Sequence, residues 1–299
     1  MSTSIPVIDL QEISSEPPKL VQACDEWGCF RIINHQIPTT LMAEMKSVVR
    51  SLLDLPMEIK RRNREVIAGS GYVAPSKGNP LYEGLGLYDL GSIEAVHDFC
   101  TQLDASPYQR ETITRYSQSV HDLAMEIGSK LAKSMGLDKD LFMGWPCQFR
   151  INKYSFTTET IGSSGVQIHT DSGFLTILQD DENVGGLEVM DKRSGAFVAV
   201  DPLPGTLLVN LGDIATVWSN GRFYNVKHRV QCKEARIRIS IALFVLGPKE
   251  EAVEAPPELV DSEDRRLYVP VLFEDYRKLR LSTRLRAGEA LSLLHTTNS

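Results

Sequence analysis

Gln167-Ile168-His169-Thr170-Asp171 is the stretch on which the reading of this chain turns. In a β-strand alternate side chains share a face, so His169 and Asp171 are expected to point the same way with two groups able to hold a metal. Ser172-Gly173 follows at once and offers the bland alternative, in which Asp171 is a turn residue in water. A carboxylate facing inward beside an imidazole costs on the order of several kcal/mol unless it is paired or metal-bound. The H-x-D spacing alone does not choose between these readings.

A second run, Asn225-Val226-Lys227-His228-Arg229-Val230, alternates so that His228 shares a face with Val226 and Val230. Its imidazole is expected inward, with Lys227 and Arg229 toward solvent. Taken alone, His228 reads as a core histidine. Taken with His169 and Asp171, it completes two imidazoles and one carboxylate on one side of a metal with other positions open. That is the ligand set of non-haem Fe(II) oxygenases.

In the last long β-rich run, Ile237, Ile239, Ile241, Leu243 and Val245 form one apolar face, opposite Arg236, Arg238, Ser240, Ala242, Phe244 and Leu246. An arginine with a hydroxyl two residues on presents a planar donor fork and a further donor, suited to a carboxylate. Its charge is permanent, so burial requires an anion, and a structural salt bridge to Asp or Glu is the competing reading. Arg238 follows His228 by ten residues. That spacing suits a hairpin return within one sheet and leaves room for a bidentate 2-oxo acid between metal and guanidinium. Arg150, Asn152 and Tyr154 alternate inward on another run, where Tyr154 is either a hydroxyl donor or a rim tyrosine.

The 299 residues are 42% hydrophobic and 24% charged, ordinary for a globular enzyme with a sizeable core. The net charge of −7 argues against nucleic acid, which needs a basic face. Five scattered cysteines (Cys24, Cys29, Cys100, Cys147, Cys232) lack C-x-x-C spacing and fit reduced thiols of a cytoplasmic protein. No basic-then-apolar leader and no 18-residue apolar run is visible, so neither secretion nor membrane insertion is expected.

Along the chain, Ile5 to Leu10 reads as an edge strand, and Pro17-Pro18 opens a helix that Gly28 ends. A second helix starts at Thr39, and Lys60-Arg61-Arg62-Asn63-Arg64 reads as a solvated helix end. Residues 66–105, rich in Gly, Pro and Tyr, read as loops and short strands. Ser106-Pro107 caps a long helix that Gly136 terminates. From Phe149 onward eight β-rich runs (149–155, 165–170, 174–179, 186–190, 196–200, 206–210, 224–231, 236–246) suit a jelly roll of two facing sheets. The expected organisation is a helical and loop region over 1–148, a β core over 149–247 and a loop with helices over 248–299, forming one structural unit.

These residues carry a resemblance. His169-Thr-Asp171, His228 in its Val-Lys-His-Arg-Val run, Arg238-Ile-Ser240 and Asn152-Lys-Tyr154 resemble the signature of plant 2-oxoglutarate/Fe(II)-dependent dioxygenases. So do Ile5-Pro-Val-Ile-Asp-Leu10, Trp27-Gly-Cys-Phe-Arg-Ile-Ile-Asn-His35 and Leu207-Leu-Val-Asn-Leu-Gly-Asp213. The resemblance implies a double-stranded β-helix core of cupin type with flanking helices. It implies iron on His169, Asp171 and His228, and 2-oxoglutarate on Arg238 and Ser240 with Asn152 and Tyr154 assisting. O₂ is the co-substrate, with ascorbate as a reductant. The family form carries a double tyrosine after the Asn, whereas Lys153-Tyr154 stands here.

Runs such as Leu103-Asp-Ala-Ser-Pro107 and Ala215-Thr-Val-Trp-Ser-Asn-Gly221 resemble the auxin-oxidising branch of the family. That branch implies an acid substrate, indole-3-acetic acid, converted to 2-oxindole-3-acetic acid. The expected state is a monomer or a homodimer, for which the amphipathic long helix and the tail offer surface. The same chemistry on a gibberellin or phenolic, a non-catalytic cupin-like binder, and a zinc hydrolase are the alternatives. For an indole acetate, Phe174, Phe244 and Tyr72 are the candidate flat surfaces and Arg150 the candidate cation.

Overall fold

The expected β-rich runs build two sheets that close around a cavity. A computed structural model describes residues 4–12, 17–138, 141–260 and 265–296. The amino-terminal half forms β1 (Val7–Asp9), α1 (Pro17–Glu26), β2 (Cys29–Ile33), α2 (Thr39–Leu53), α3 (Met57–Lys60), β3 (Tyr82–Leu87), α4 (Ile93–Gln102) and α5 (Pro107–Ser134). Then come β4 (Cys147–Ser155), β5 (Ser164–His169), β6 (Leu175–Gln179), β7 (Leu187–Met190), β8 (Phe197–Ala199), β9 (Leu207–Leu211), α6 (Asp213–Trp218), β10 (His228–Gln231), β11 (Ile237–Val245) and α7 (Phe273–Thr283). Each of the eight runs read from Phe149 onward is one strand, β4 to β11.

One sheet has seven strands in the order β1-β2-β9-β6-β11-β4-β3, and the other has four in the order β5-β10-β7-β8. This is the two-sheet arrangement of a double-stranded β-helix, widened by β1, β2 and β3. β11 is central to the larger sheet, paired antiparallel with β4 and β6. Its Ile239, Ile241, Leu243 and Val245 are buried in one core cluster with Ile113, Tyr116 and Val120 of α5. Its other face looks into the cavity.

The long helix begins as its cap predicts. The Ser106 hydroxyl accepts from the Gln109 N–H at 3.3 Å, the Gln109 side chain accepts from the Ser106 N–H at 2.7 Å, and Pro107 occupies the first turn.

Two expectations for the amino-terminal half are corrected. Residues 66–105 are not loops and short strands alone, because Ile93–Gln102 is a helix: the Ser92 hydroxyl caps it, and Val96, Phe99 and Cys100 bury one stripe. Lys60 is not a solvated helix end but is buried, donating to the Leu53 carbonyl at 2.8 Å and pairing with Glu83 at 2.5 Å. A charge run looks solvated until a strand from elsewhere brings it a carboxylate.

The alternation on β5 is also corrected. His169 stands opposite His228 and Val166 opposite Val230, so β5 spends one more residue than β10 between the two pairs. This bulge lets Val166 and His169, three apart, both line the cavity, and it leaves Ile168 40% exposed. Asp171 lies just past the strand end rather than on it.

Candidate active site

His169, Asp171 and His228 converge at the cavity. Asp171 Oδ1 lies 3.8 Å from His169 Nε2 and 3.7 Å from His228 Nε2, and the three ligand atoms all fall within 4.8 Å of one another. β5 and β10 supply the histidines as direct cross-strand neighbours. The turn after β5 supplies Asp171, its carbonyl accepting from the Asp213 N–H at 2.9 Å. A Cβ at Gly212 would come within 2.7 Å of that carbonyl, so the turn closes only over a glycine.

The remaining ring atoms are committed. His169 Nδ1 lies 2.8 Å from the Gln167 carbonyl and His228 Nδ1 3.1 Å from the Val226 carbonyl. A carbonyl only accepts, so each Nδ1 carries the proton and each Nε2 keeps its lone pair for the shared space. The Thr176 hydroxyl donates to Asp171 Oδ2 at 2.6 Å, leaving Oδ1 toward the imidazoles. Burial, then the nearby His228 ring, pushes His169 down to about 4. Burial pushes the Asp171 carboxyl up, but the two imidazoles, the Thr176 hydroxyl and Arg280 outweigh it and hold it below its usual range. A neutral His169 and an ionised Asp171 are the forms a divalent cation needs of these two ligands.

Arg238 is 1% exposed and lines the same cavity, as do Ser240, Asn152 and Tyr154. The hairpin expectation is corrected: β10 and β11 lie in different sheets, so the metal-ligand set and the guanidinium stand on opposing walls. The competing reading of Arg238 is also realised, because its Nη2 pairs with Asp180. Its Nε is nevertheless buried without a partner, which leaves one donor of the fork unused. The guanidinium sits 5.2 Å from the Tyr154 ring centroid, and Asn152 Nδ2 donates to the Ser240 hydroxyl at 3.4 Å.

Of the residues read as substrate contacts, Arg150 and Phe244 line the cavity. Phe174 does not. It is fully buried in an aromatic cluster with Phe142, Trp145 and Trp218, at centroid distances of 4.8, 5.8 and 5.4 Å. Tyr72 also stays outside, its hydroxyl donating to Glu83 at 2.7 Å beneath Lys60. Both stand outside the strands, where sequence spacing does not say whether a side chain meets the cavity or the packed core.

Arg150 is 7% exposed, and among the described residues no carboxylate pairs with it. Its Nη2 donates to the Tyr82 hydroxyl at 2.6 Å and its Nη1 to the Gly71 carbonyl at 3.3 Å. The Tyr82 hydroxyl donates on to Asn152 Oδ1 at 2.8 Å. Gly84 and Gly86 on β3 make the slot for this guanidinium: a Cβ at Gly84 would lie 2.8 Å from Nη2 and one at Gly86 3.2 Å from Nη1.

Sequence reading missed Tyr82, Asp180, Thr176, Arg280 and Arg286 at this site. None carries a local motif. Arg280 on α7 pairs with the buried Asp213 and donates to the Thr170 carbonyl at 2.8 Å and hydroxyl at 3.1 Å, bracing the residue between His169 and Asp171.

A two-sheet barrel with a His-Asp-His cluster facing a half-satisfied arginine defines a 2-oxoglutarate/Fe(II) oxygenase, and the chain belongs to that family. Residues 145–247 match the 2OG-Fe(II) oxygenase superfamily and residues 5–122 the amino-terminal region described as non-haem dioxygenase in morphine synthesis. It is 53% identical over 295 residues to the 2-oxoglutarate-dependent dioxygenase DAO of Oryza sativa subsp. japonica, covering 97% of this chain and 98% of that one. It is 31% identical to feruloyl CoA ortho-hydroxylase 2 of Arabidopsis thaliana, covering 92% of this chain and 78% of that one.

Among solved structures, the dioxygenase for auxin oxidation of rice superposes with a TM-score of 0.92 at 52% identity, covering 98% of this chain and all of that one. Dioxygenase for auxin oxidation 1 of Arabidopsis thaliana, in a binary complex with 2-oxoglutarate, superposes at 0.85 and 57% identity, covering 88% of this chain and all of that one. The chain is therefore an oxidoreductase whose cofactors are Fe(II) and 2-oxoglutarate.

Proposed function

We propose that this chain oxidises indole-3-acetic acid to 2-oxindole-3-acetic acid, consuming O₂ and converting 2-oxoglutarate to succinate and CO₂. One oxygen atom enters the indole and the other enters succinate. The observation that carries the substrate is the 53% identity, over nearly the full length of both chains, to the rice dioxygenase DAO.

The division of labour follows from the walls of the cavity. His169, Asp171 and His228 hold Fe(II) through two Nε2 atoms and Oδ1. Arg238 and Ser240 take the far carboxylate of 2-oxoglutarate, while Tyr154 walls the guanidinium and Asn152 orients Ser240. When bound, Fe(II) and 2-oxoglutarate together supply the activation of O₂. Facing sheets stand on the order of 10 Å apart, a gap that a short diacid chelated at one end can span.

The substrate stands further along the barrel. Arg150 faces Ala242 across the β4–β11 ladder, two two-residue steps beyond the Tyr154–Arg238 pair, so it lies four residues from the 2-oxoglutarate anchor. At about 3.3 Å per residue this is roughly 13 Å along the strand. A buried guanidinium without an acid partner favours an arriving carboxylate. Arg150 therefore takes the carboxylate of the acid, and Phe244, one step further, offers flat surface to the ring. A cavity of about 550 Å³ accommodates both small acids.

The test is product analysis with purified enzyme, Fe(II), 2-oxoglutarate and indole-3-acetic acid in air and under argon. Oxygen-dependent appearance of succinate and 2-oxindole-3-acetic acid in equal amounts is expected. Succinate formation that indole-3-acetic acid leaves unchanged, while another plant acid stimulates it, assigns the site to that acid instead. All the residues named here come from one copy of the chain, so the proposed site is compatible with a monomer or a homodimer. No described helix is long and apolar enough to cross a membrane, and a cytoplasmic location agrees with five buried free cysteines.

A further inference from the structure

The cavity opens sideways into a second chamber of about 220 Å³ that shares Gln148, Ser172, Leu246, Arg280 and Arg286 with it. Its cations are not equivalent. Arg280 is neutralised by the buried Asp213. Arg277 is engaged by Glu274, to which its Nε and Nη2 donate at 2.8 and 2.7 Å. Arg286 is exposed, and among the described residues no carboxylate or hydrogen-bonding group engages its guanidinium.

Arg286 is nonetheless held in place by its backbone. Its carbonyl accepts from the Thr170 N–H at 2.9 Å and from Arg280 Nη2 at 2.8 Å. Thr170 lies between His169 and Asp171, so the free guanidinium is tethered beside the metal-ligand segment. Both Arg277 and Arg286 lie beyond the residues matched to the oxygenase superfamily, which end at 247. The core matched to the superfamily thus supplies the metal and diacid wall, and the carboxy-terminal segment beyond that match supplies the unpaired guanidinium of Arg286 at the mouth.

We infer that this chamber is a carboxylate-capturing vestibule in which Arg286 draws the acid substrate in before it reaches Arg150. The inference rests on the acid-oxidising reading above and names the residue that selects for the charge. A mouth cation raises the rate of encounter and leaves the chemical step alone. It acts on the charged acid and not on its uncharged amide.

The experiment uses the full chain with Arg286→Gln and Arg286→Lys, with indole-3-acetic acid and its neutral amide as probes. Turnover is read as kcat and KM across ionic strength, and binding is read anaerobically on the Mn(II)- and 2-oxoglutarate-loaded protein. For Arg286→Gln, kcat/KM and affinity for the acid are expected to fall about tenfold, with kcat within twofold and a flatter dependence on salt. Affinity for the amide and for 2-oxoglutarate should stay unchanged, and Arg286→Lys should restore most of the acid's affinity. Because the tether to Thr170 is a backbone carbonyl, an unchanged melting temperature checks that the fold survives. Acid affinity within twofold of wild type, or equal weakening of acid and amide, overturns the vestibule. Wild-type protein that binds the acid but does not oxidise it sinks the oxidation reading while leaving the vestibule standing.

Discussion

The Thr176 hydroxyl holds one oxygen of Asp171 at 2.6 Å, and the other oxygen faces both His169 and His228. This bond sets which carboxylate oxygen is offered to a cation and fixes its direction. Replacing Thr176 by Val keeps the shape of the side chain and removes the donor. Metal affinity, titrated with Fe(II) or Mn(II), is expected to fall about 10- to 100-fold with the fold intact. Affinity equal to wild type would mean that backbone contacts alone orient the carboxylate.

Asp180 neutralises Arg238 where the guanidinium is 1% exposed. Asp180→Asn leaves a buried cation without its anion and is expected to cost about 3–5 kcal/mol of stability. The diacid can then supply the missing charge. Added 2-oxoglutarate should raise the melting temperature of this variant more than that of wild type, as ligand linkage requires. Equal shifts in a thermal-denaturation series would show that 2-oxoglutarate does not engage Arg238.

Gly84 and Gly86 are expected to answer differently to the same change. A Cβ at Gly84 meets chiefly the tips of two side chains, Tyr82 Oη at 2.6 Å and Arg150 Nη2 at 2.8 Å, with the Ile151 carbonyl further off at 3.1 Å. Gly84→Ala should therefore fold, displace Arg150 and raise the KM for the acid severalfold with 2-oxoglutarate affinity retained. A Cβ at Gly86 meets the Ser70 carbonyl at 2.3 Å, where backbone must move. Gly86→Ala should lose on the order of 1–3 kcal/mol in urea unfolding, the usual cost of overpacking. The reverse ranking would contradict the slot described for Arg150.

Lys46 donates to the Ile239 carbonyl at 2.8 Å, and burial pushes its ammonium from 10.5 down to about 8. The unfolded chain holds this proton up to about 10.5 and the folded chain only to about 8, so between these values the unfolded state binds more protons. Stability from this group therefore rises as pH increases through that window, by on the order of 3 kcal/mol. Lys46→Met should lack the rise. Urea midpoints of both proteins at pH 7.5 and 10 measure the difference, and parallel changes in the two would rule it out.

The strands were legible because β-branched runs and turn residues alternate at short spacing after Phe149. The metal cluster was legible because two histidines sat in such runs and a carboxylate followed the first of them two residues on, although Asp171 stands on the turn after β5 and not on the strand. Thr176, Tyr82, Asp180 and Arg286 were not legible, since each acts on a partner brought near by sheet pairing or by the returning carboxy-terminal segment. Phe174 and Tyr72 were misplaced because both stand outside the strands, in the turn before β6 and the loop before β3, where no periodicity says what will cover a side chain.

By itself the sequence determined which side chains could bind a metal and a diacid, because donor type and permanent charge are properties of the residues. Tertiary structure decided how they meet. The bulge in β5 turns His169 inward beside Val166, where unbroken alternation would have set them on opposite faces. The closure of two sheets, rather than a hairpin in one, sets Arg238 across from His228. Both depend on pairing between distant segments, and no local periodicity encodes an extra residue that only the partner strand reveals.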